Sequence, residues 1–227
     1  MKNLAKEIRK CKKCDLHKTC TQKVVGRGVA RPKVLWIGEA PGLQEDQTGR
    51  PFCGPSGQLL DKWMDILDVE DRSAVINCLK CRPPDNRDPT AEELNACRFW
   101  MDRQIKLLDP PVIIVLGRFA MKQILGIDKG ITGFAGRCFS KEGRKVFVMP
   151  HPSYYLRNGG HGFEKPLEGI KNFFKDNIGV TSEPFQDVRE EKVIPSFPSF
   201  VPLHVHSTYS IGDGCGRIED LVGYAKE

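Results

Sequence analysis

Short apolar runs, each closed by glycine, proline or a polar residue, recur along the first two thirds of the chain. Lys33-Val34-Leu35-Trp36-Ile37-Gly38, Ala74-Val75-Ile76-Asn77, Val112-Ile113-Ile114-Val115-Leu116-Gly117 and Lys145-Val146-Phe147-Val148-Met149-Pro150 are the four clearest. Runs of this kind, with no polar residue every second position, predict strands buried on both faces. Between them the apolar spacing changes to that of a helix. Residues 57–67 place Leu59, Leu60, Trp63, Met64 and Leu67 on one face, and Ala91–Leu108 and Arg118–Leu125 follow the same rule. Thr90 with Glu93 three residues on predicts a capping box that opens the second of these helices. Strands alternating with helices imply an α/β domain with a small parallel sheet covered on both sides.

The pattern breaks after Phe173-Phe174. Residues 181–199 are polar and carry Pro184, Pro195 and Pro198, so they predict a linker. Residues 200–206 then start a new strand-like run, with a short helix expected over 217–227. The expected organisation is a main domain over 1–180, a linker over 181–199 and the start of a second domain over 200–227.

Chemistry gathers at the strand ends. Gly38-Glu39-Ala40-Pro41-Gly42 follows the first apolar run, Asn77 ends the second, and His151-Pro152-Ser153 follows the fourth. Open α/β sheets keep their ligand sites at the carboxyl ends of strands. No apolar run approaches membrane-span length, and Met1 to Glu7 lacks the apolar region of a secretory signal, so a cytoplasmic protein is expected. In that compartment nine cysteines argue for metal binding rather than disulfides. Cys11 and Cys14 form one C-x2-C pair. Spacing alone leaves their partners open, because Cys78 and Cys81 form a second such pair, although the 63 residues between Cys14 and Cys78 weaken a zinc-ribbon arrangement. Charge adds a hint about partners: residues 1–180 carry 31 Lys and Arg against 21 Asp and Glu, a basic surplus that suits a polyanion and is equally compatible with a lysine-rich surface.

Read in order, Gly38-Glu39-Ala40-Pro41-Gly42-Leu43-Gln44-Glu45-Asp46, Thr48-Gly49-Arg50-Pro51-Phe52, Lys80-Cys81-Arg82-Pro83-Pro84-Asp85-Asn86-Arg87 and His151-Pro152-Ser153-Tyr154-Tyr155-Leu156-Arg157-Asn158, with fifteen residues between Cys81 and Cys97, resemble the family 4 uracil-DNA glycosylases. The likeness covers about residues 4–178. It implies a three-layer α/β/α sandwich in which Cys11, Cys14, Cys81 and Cys97 ligate a structural 4Fe-4S cluster. It also implies a monomer that flips uracil out of DNA and hydrolyses its bond to deoxyribose.

The resemblance assigns roles. Phe52 would stack on the uracil face, Asn77 would read its polar edge, and Ala40 and Gly42 would line the base site. His151 would donate to the uracil oxygen as negative charge develops there. The water-handling group is less defined, because related families carry an aspartate where this chain has Ala40; Glu39, Glu45 and Asn86 are the candidates, with Glu39 alternatively bracing the turn and Glu45 capping the next helix. Arg82, Arg87 and Arg157 would grip phosphates, and Leu156 or a neighbouring tyrosine would fill the gap left by the flipped nucleotide. The tail, 200–227, resembles the opening motif of the PHP domain of bacterial DNA polymerase III α subunits, with His204 and His206 on one strand face, but the remaining metal ligands of that domain are missing. It suggests fusion to a polymerase-like polypeptide. The competing reading is therefore a non-catalytic DNA-binding domain that tethers a polymerase. A covalent uracil-capturing relative is disfavoured, since no basic, histidine-bearing loop follows Arg87.

Overall fold

The computed structural model describes residues 2–177, all within the first of the two units, Met1–Val180 and Thr181–Glu227, into which the chain divides. The expected linker and the PHP-like segment lie outside the described residues. Six strands form one sheet: β1 (Arg27–Gly28), β2 (Val34–Gly38), β3 (Ser73–Asn77), β4 (Val112–Leu116), β5 (Cys138–Lys141) and β6 (Arg144–Met149), in the order β1-β3-β2-β4-β6-β5. The four inner strands are parallel and coincide with the four apolar runs. The two edge strands run antiparallel to their neighbours, so the expected parallel sheet is mixed. Both edges are short, half-exposed segments that carry no uninterrupted apolar run.

Seven helices complete the domain: α1 (Lys2–Arg9), α2 (Leu43–Thr48), α3 (Pro55–Ile66), α4 (Ala91–Leu108), α5 (Arg118–Leu125), α6 (Pro152–Arg157) and α7 (Glu164–Asn177). Alternation along the inner strands divides the core in two. Leu35, Ile37, Ala74, Ile76, Ile113, Val115, Val146 and Val148 face α1, α4 and α5, while Val34, Trp36, Val75, Val112, Ile114, Phe147 and Met149 face α3, α6 and α7. That is the three-layer sandwich. Burying each such side chain fully is worth about 1.5–3 kcal/mol, which is why the inner strands admit almost no polar residue. Trp36 is the largest of them, and its indole N–H donates to Ser73 Oγ at 3.0 Å, so its one polar atom is satisfied inside the core.

Helix starts are chemically specified. Thr90 Oγ accepts from the Glu93 amide at 3.2 Å while Glu93 Oε2 accepts from the Thr90 amide at 2.9 Å, the reciprocal pair that the sequence predicts. Pro152 opens α6 at its first position, where a missing N–H costs nothing. The second of these starts comes directly after β6, the strand that leads to His151.

Candidate active site

Gly38 ends β2 opposite Asn77, the last residue of β3. A Cβ built on Gly38 would collide with Asn77 Oδ1 and lie 2.7 Å from two carbons of the Phe52 ring. An aromatic ring and an amide oxygen therefore meet over one backbone position that only glycine can occupy. Asn77 is buried, and its Oδ1 has no hydrogen-bond partner within the protein. A buried acceptor left open costs about 1–3 kcal/mol, which a ligand donor would recover.

Phe52 reaches this point through a left-handed backbone, with φ of 54°. α3 closes behind it so tightly that any side chain at Gly57 would run into the Phe52 carbonyl. Glu45 fixes the same loop from the other side. Its Oε2 accepts from the Gly42 amide at 3.0 Å, and its Oε1 accepts from the Cys53 and Gly54 amides at 3.2 and 3.4 Å, joining the turn after β2 to the loop that carries Phe52.

His151 follows β6 and caps α6, with its ring centroid 5.6 Å from that of Phe52. Nδ1 accepts from the Ser153 amide at 3.2 Å and lies 2.9 Å from Ser153 Oγ. With Nδ1 committed as an acceptor, a neutral ring carries its proton on Nε2. Burial, aided by the positive charge of Arg157, pushes the imidazole pKa down from 6.5 to about 4, so the ring is neutral at physiological pH. Glu39, one residue past Gly38, is raised to about 7 chiefly by burial and then by the nearby Asp88 carboxylate, with Arg118 opposing. Arg118 and Asp88 are themselves an ion pair.

On the α4 side of the sheet Cys11, Cys14, Cys81 and Cys97 line one cavity together with Lys13, His17, Lys23, Lys80 and Ala96. Cys78, the alternative left open by spacing, is buried and does not line it. The indole N–H of Trp100 donates to Cys11 Sγ at 3.0 Å, and the Lys13 amide approaches the same sulfur at 3.5 Å. Burial raises the thiol pKa of Cys14 and Cys81 and lifts that of Cys97 to about 11. Among the described residues no three Cys, His, Asp or Glu side chains lie close enough to share one metal ion.

Residues 25–176 match the family described as the uracil DNA glycosylase superfamily. The chain belongs to that superfamily. It is 40% identical over 163 residues to a type-4 uracil-DNA glycosylase of Archaeoglobus fulgidus, covering 68% of this chain and 82% of the relative. A type-4 uracil-DNA glycosylase of Thermotoga maritima is 37% identical over 182 residues, covering 77% and 95%. One of Sulfurisphaera tokodaii is 37% identical over 202 residues, covering 86% of each chain.

Within this glycosylase domain the expected site residues fall into separate groups. Phe52 lies beside the Asn77 amide oxygen over Gly38 and 5.6 Å from the His151 ring. Ala40 is half-buried at the turn above β2, and Gly42 sits against the Glu45 carboxylate. Glu45, expected as a water-handling candidate or a cap, has both oxygens on backbone amides, which is the capping geometry. Asn86 lies in an exposed turn with its Oδ1 held by Arg82 Nε at 2.7 Å. Arg87, expected on phosphate, instead binds Glu93 with both terminal nitrogens, at 2.9 and 2.5 Å. Leu156 and Arg157 are exposed on α6 beside His151, as is Tyr154. Sequence reasoning missed Lys80, Arg118, Asp88 and Trp100. Arg118 had a signal in its place one residue after the Gly117 that ends a strand run; Lys80 had none.

Proposed function

We propose that this protein is a uracil-DNA glycosylase that extrudes uracil from DNA and hydrolyses the bond between uracil N1 and the deoxyribose C1′, leaving an abasic site. The observation that carries the reading is the meeting of the Phe52 ring and the unpartnered Asn77 Oδ1 over Gly38, with the neutral His151 ring alongside. Uracil presents an N–H donor between two carbonyl acceptors. Asn77 Oδ1 would accept from that N–H and its amide N–H2 would donate to the neighbouring oxygen; cytosine offers an acceptor where the N–H should be, and the mismatch leaves a buried group unpaired. Phe52 would stack on the base.

When the N1–C1′ bond breaks, the bonding electrons stay with the base and positive charge remains on the sugar. The Nε2 proton of His151 would stabilise the oxygen on which the negative charge settles, an effect typically worth about 3–4 kcal/mol. Glu39 is our candidate to take the proton of the water that adds at C1′, since Glu45 is consumed by amides and a pKa near 7 keeps a working fraction ionised. Leu156 and Arg157, on the exposed face of α6, would occupy the gap and contact a phosphate, and Arg82 would contribute from the loop after Cys81.

The thiol-lined cavity fits an iron-sulfur site: Cys11, Cys14, Cys81 and Cys97 would ligate a 4Fe-4S cluster, and Trp100 would direct its N–H at one sulfur. When bound, the group would cross-link the start of the chain to both ends of the loop between Cys81 and Cys97. Purified protein should then be brown with about four irons, whereas one zinc would overturn that assignment. A cytoplasmic monomer joined to a polymerase rests on sequence alone.

The deciding experiment incubates the protein with a single-uracil oligonucleotide and then with alkali. Scission at uracil supports the glycosylase; binding without scission supports the tethering alternative.

A further inference from the structure

Lys80 is an anomaly in this fold. A lysine side chain is almost never fully buried unless paired, yet this one is 1% exposed between the two sites described above. Its ammonium donates to the Asn77 backbone carbonyl at 2.5 Å, and the same side chain lines the cavity of the four thiols. Its own backbone N–H bonds the Cys97 sulfur. The Asn77 carbonyl is neutral, so it satisfies a donor without balancing the charge.

The rest of the segment is clamped along one side. The Cys78 amide donates to the Gly38 carbonyl and the Leu79 amide to the Glu39 carbonyl, both at 2.9 Å. These two bonds extend the β2–β3 pairing past Asn77 but leave its own carbonyl to Lys80. The Lys80 bond therefore fixes the peptide plane that carries the Asn77 side chain, the group whose Oδ1 faces the base site unpartnered.

We propose that Lys80 is a positioning residue for uracil recognition: its buried ammonium grips the Asn77 carbonyl and fixes the amide that separates uracil from cytosine. This rests on the reading of Asn77 given above. The chemistry asks for a long donor side chain that can fold back on its own segment, which explains a buried lysine three residues after a base-reading asparagine and one residue before a thiol ligand.

The test uses Lys80→Met, which keeps length and removes both donor and charge, and Lys80→Arg, which restores them. Iron content and visible absorption report whether the metal site is intact; affinity for free uracil against free cytosine, with kcat and KM on a uracil oligonucleotide, reports the base site. A hydrogen bond from a charged donor is worth about tenfold to a hundredfold, so K80M should lose that much of its preference for uracil, chiefly in KM, while iron is retained, and K80R should recover part of it. A purely structural lysine would lower melting temperature and leave the uracil-to-cytosine ratio unchanged; that result, in K80M with wild-type iron, overturns the proposal. Should K80M fail to fold, Lys80→Gln is read in the same way, and an unchanged ratio there overturns it equally. If the unaltered protein releases no uracil, the glycosylase reading itself falls, which is a different outcome from a wild-type-like K80M.

Discussion

The base site and the thiol cavity are joined by the four-residue step from Asn77 to Cys81, yet they are organised in opposite ways. The proposed base site is braced within the protein itself: Glu45 ties its two loops, Ser153 sets the His151 ring, and Gly57 lets α3 lock Phe52. The thiol cavity is not self-sufficient. Burial holds the thiols of Cys14, Cys81 and Cys97 above their ordinary pKa, so a metal must displace their protons to make them ligands. Preorganised dipoles favour a transition state because nothing must reorient as charge develops; a metal site contributes by binding what the unfolded chain cannot.

Substitutions can break this contrast in graded steps. The largest effect belongs to His151→Ala, expected to reduce kcat on a uracil oligonucleotide by about 10²–10³-fold with the fold and iron content unchanged, as for loss of one preorganised donor. Cys97→Ser should act the other way round. Iron content falls and the melting temperature with it, while any residual folded protein keeps its preference for uracil, as measured by free-base binding. Gly57→Ala tests preorganisation without touching a polar group: the new methyl drives into the Phe52 carbonyl, so affinity for uracil should drop about tenfold or more, as a shifted binding wall predicts.

Acidity gives the smaller effects. If Glu39 handles water, kcat/KM should be flat above pH about 7 and fall towards tenfold per pH unit below it, and Glu39→Gln should remove that limb. His151 adds a stability term. Its folded pKa is depressed from 6.5 to about 4, so the stability it confers is present above pH 6.5 and is lost as pH falls towards 4, where the unfolded chain binds a proton that the folded chain refuses. Thermal melts of H151A should show a shallower loss across that interval.

The four inner strands were legible because burial on both faces writes itself as an unbroken apolar run. α3, α4 and α5 were legible from their spacing, α4 and α5 to the residue. β1 and β5 were not, since an edge strand of two or four half-exposed residues needs no such run. α7 did leave a signal that went unread: Phe163, Leu167, Ile170 and Phe174 recur at helical intervals and all are buried. At the site, Phe52 and His151 were visible through their motifs and Asn77 through its place at a strand end, whereas the fate of Arg87 depended on a carboxylate that the same reading had assigned only to a cap. Glu93 does both jobs, accepting from Thr90 and from Arg87. Lys80 was invisible because lysine is ordinarily a solvated residue, and nothing in its flanking sequence says which way it points.

The Ser153 contact to His151 has a consequence for what leaves the pocket. In the proposed reaction an imidazole that stays neutral and keeps its Nε2 hydrogen would share that hydrogen with the departing pyrimidine without surrendering it, so the free base would be released as an anion and be protonated only on reaching water. Alkaline solution, which preserves that anion, should consequently make the product cling to the vacated cleft and slow turnover from the exit side.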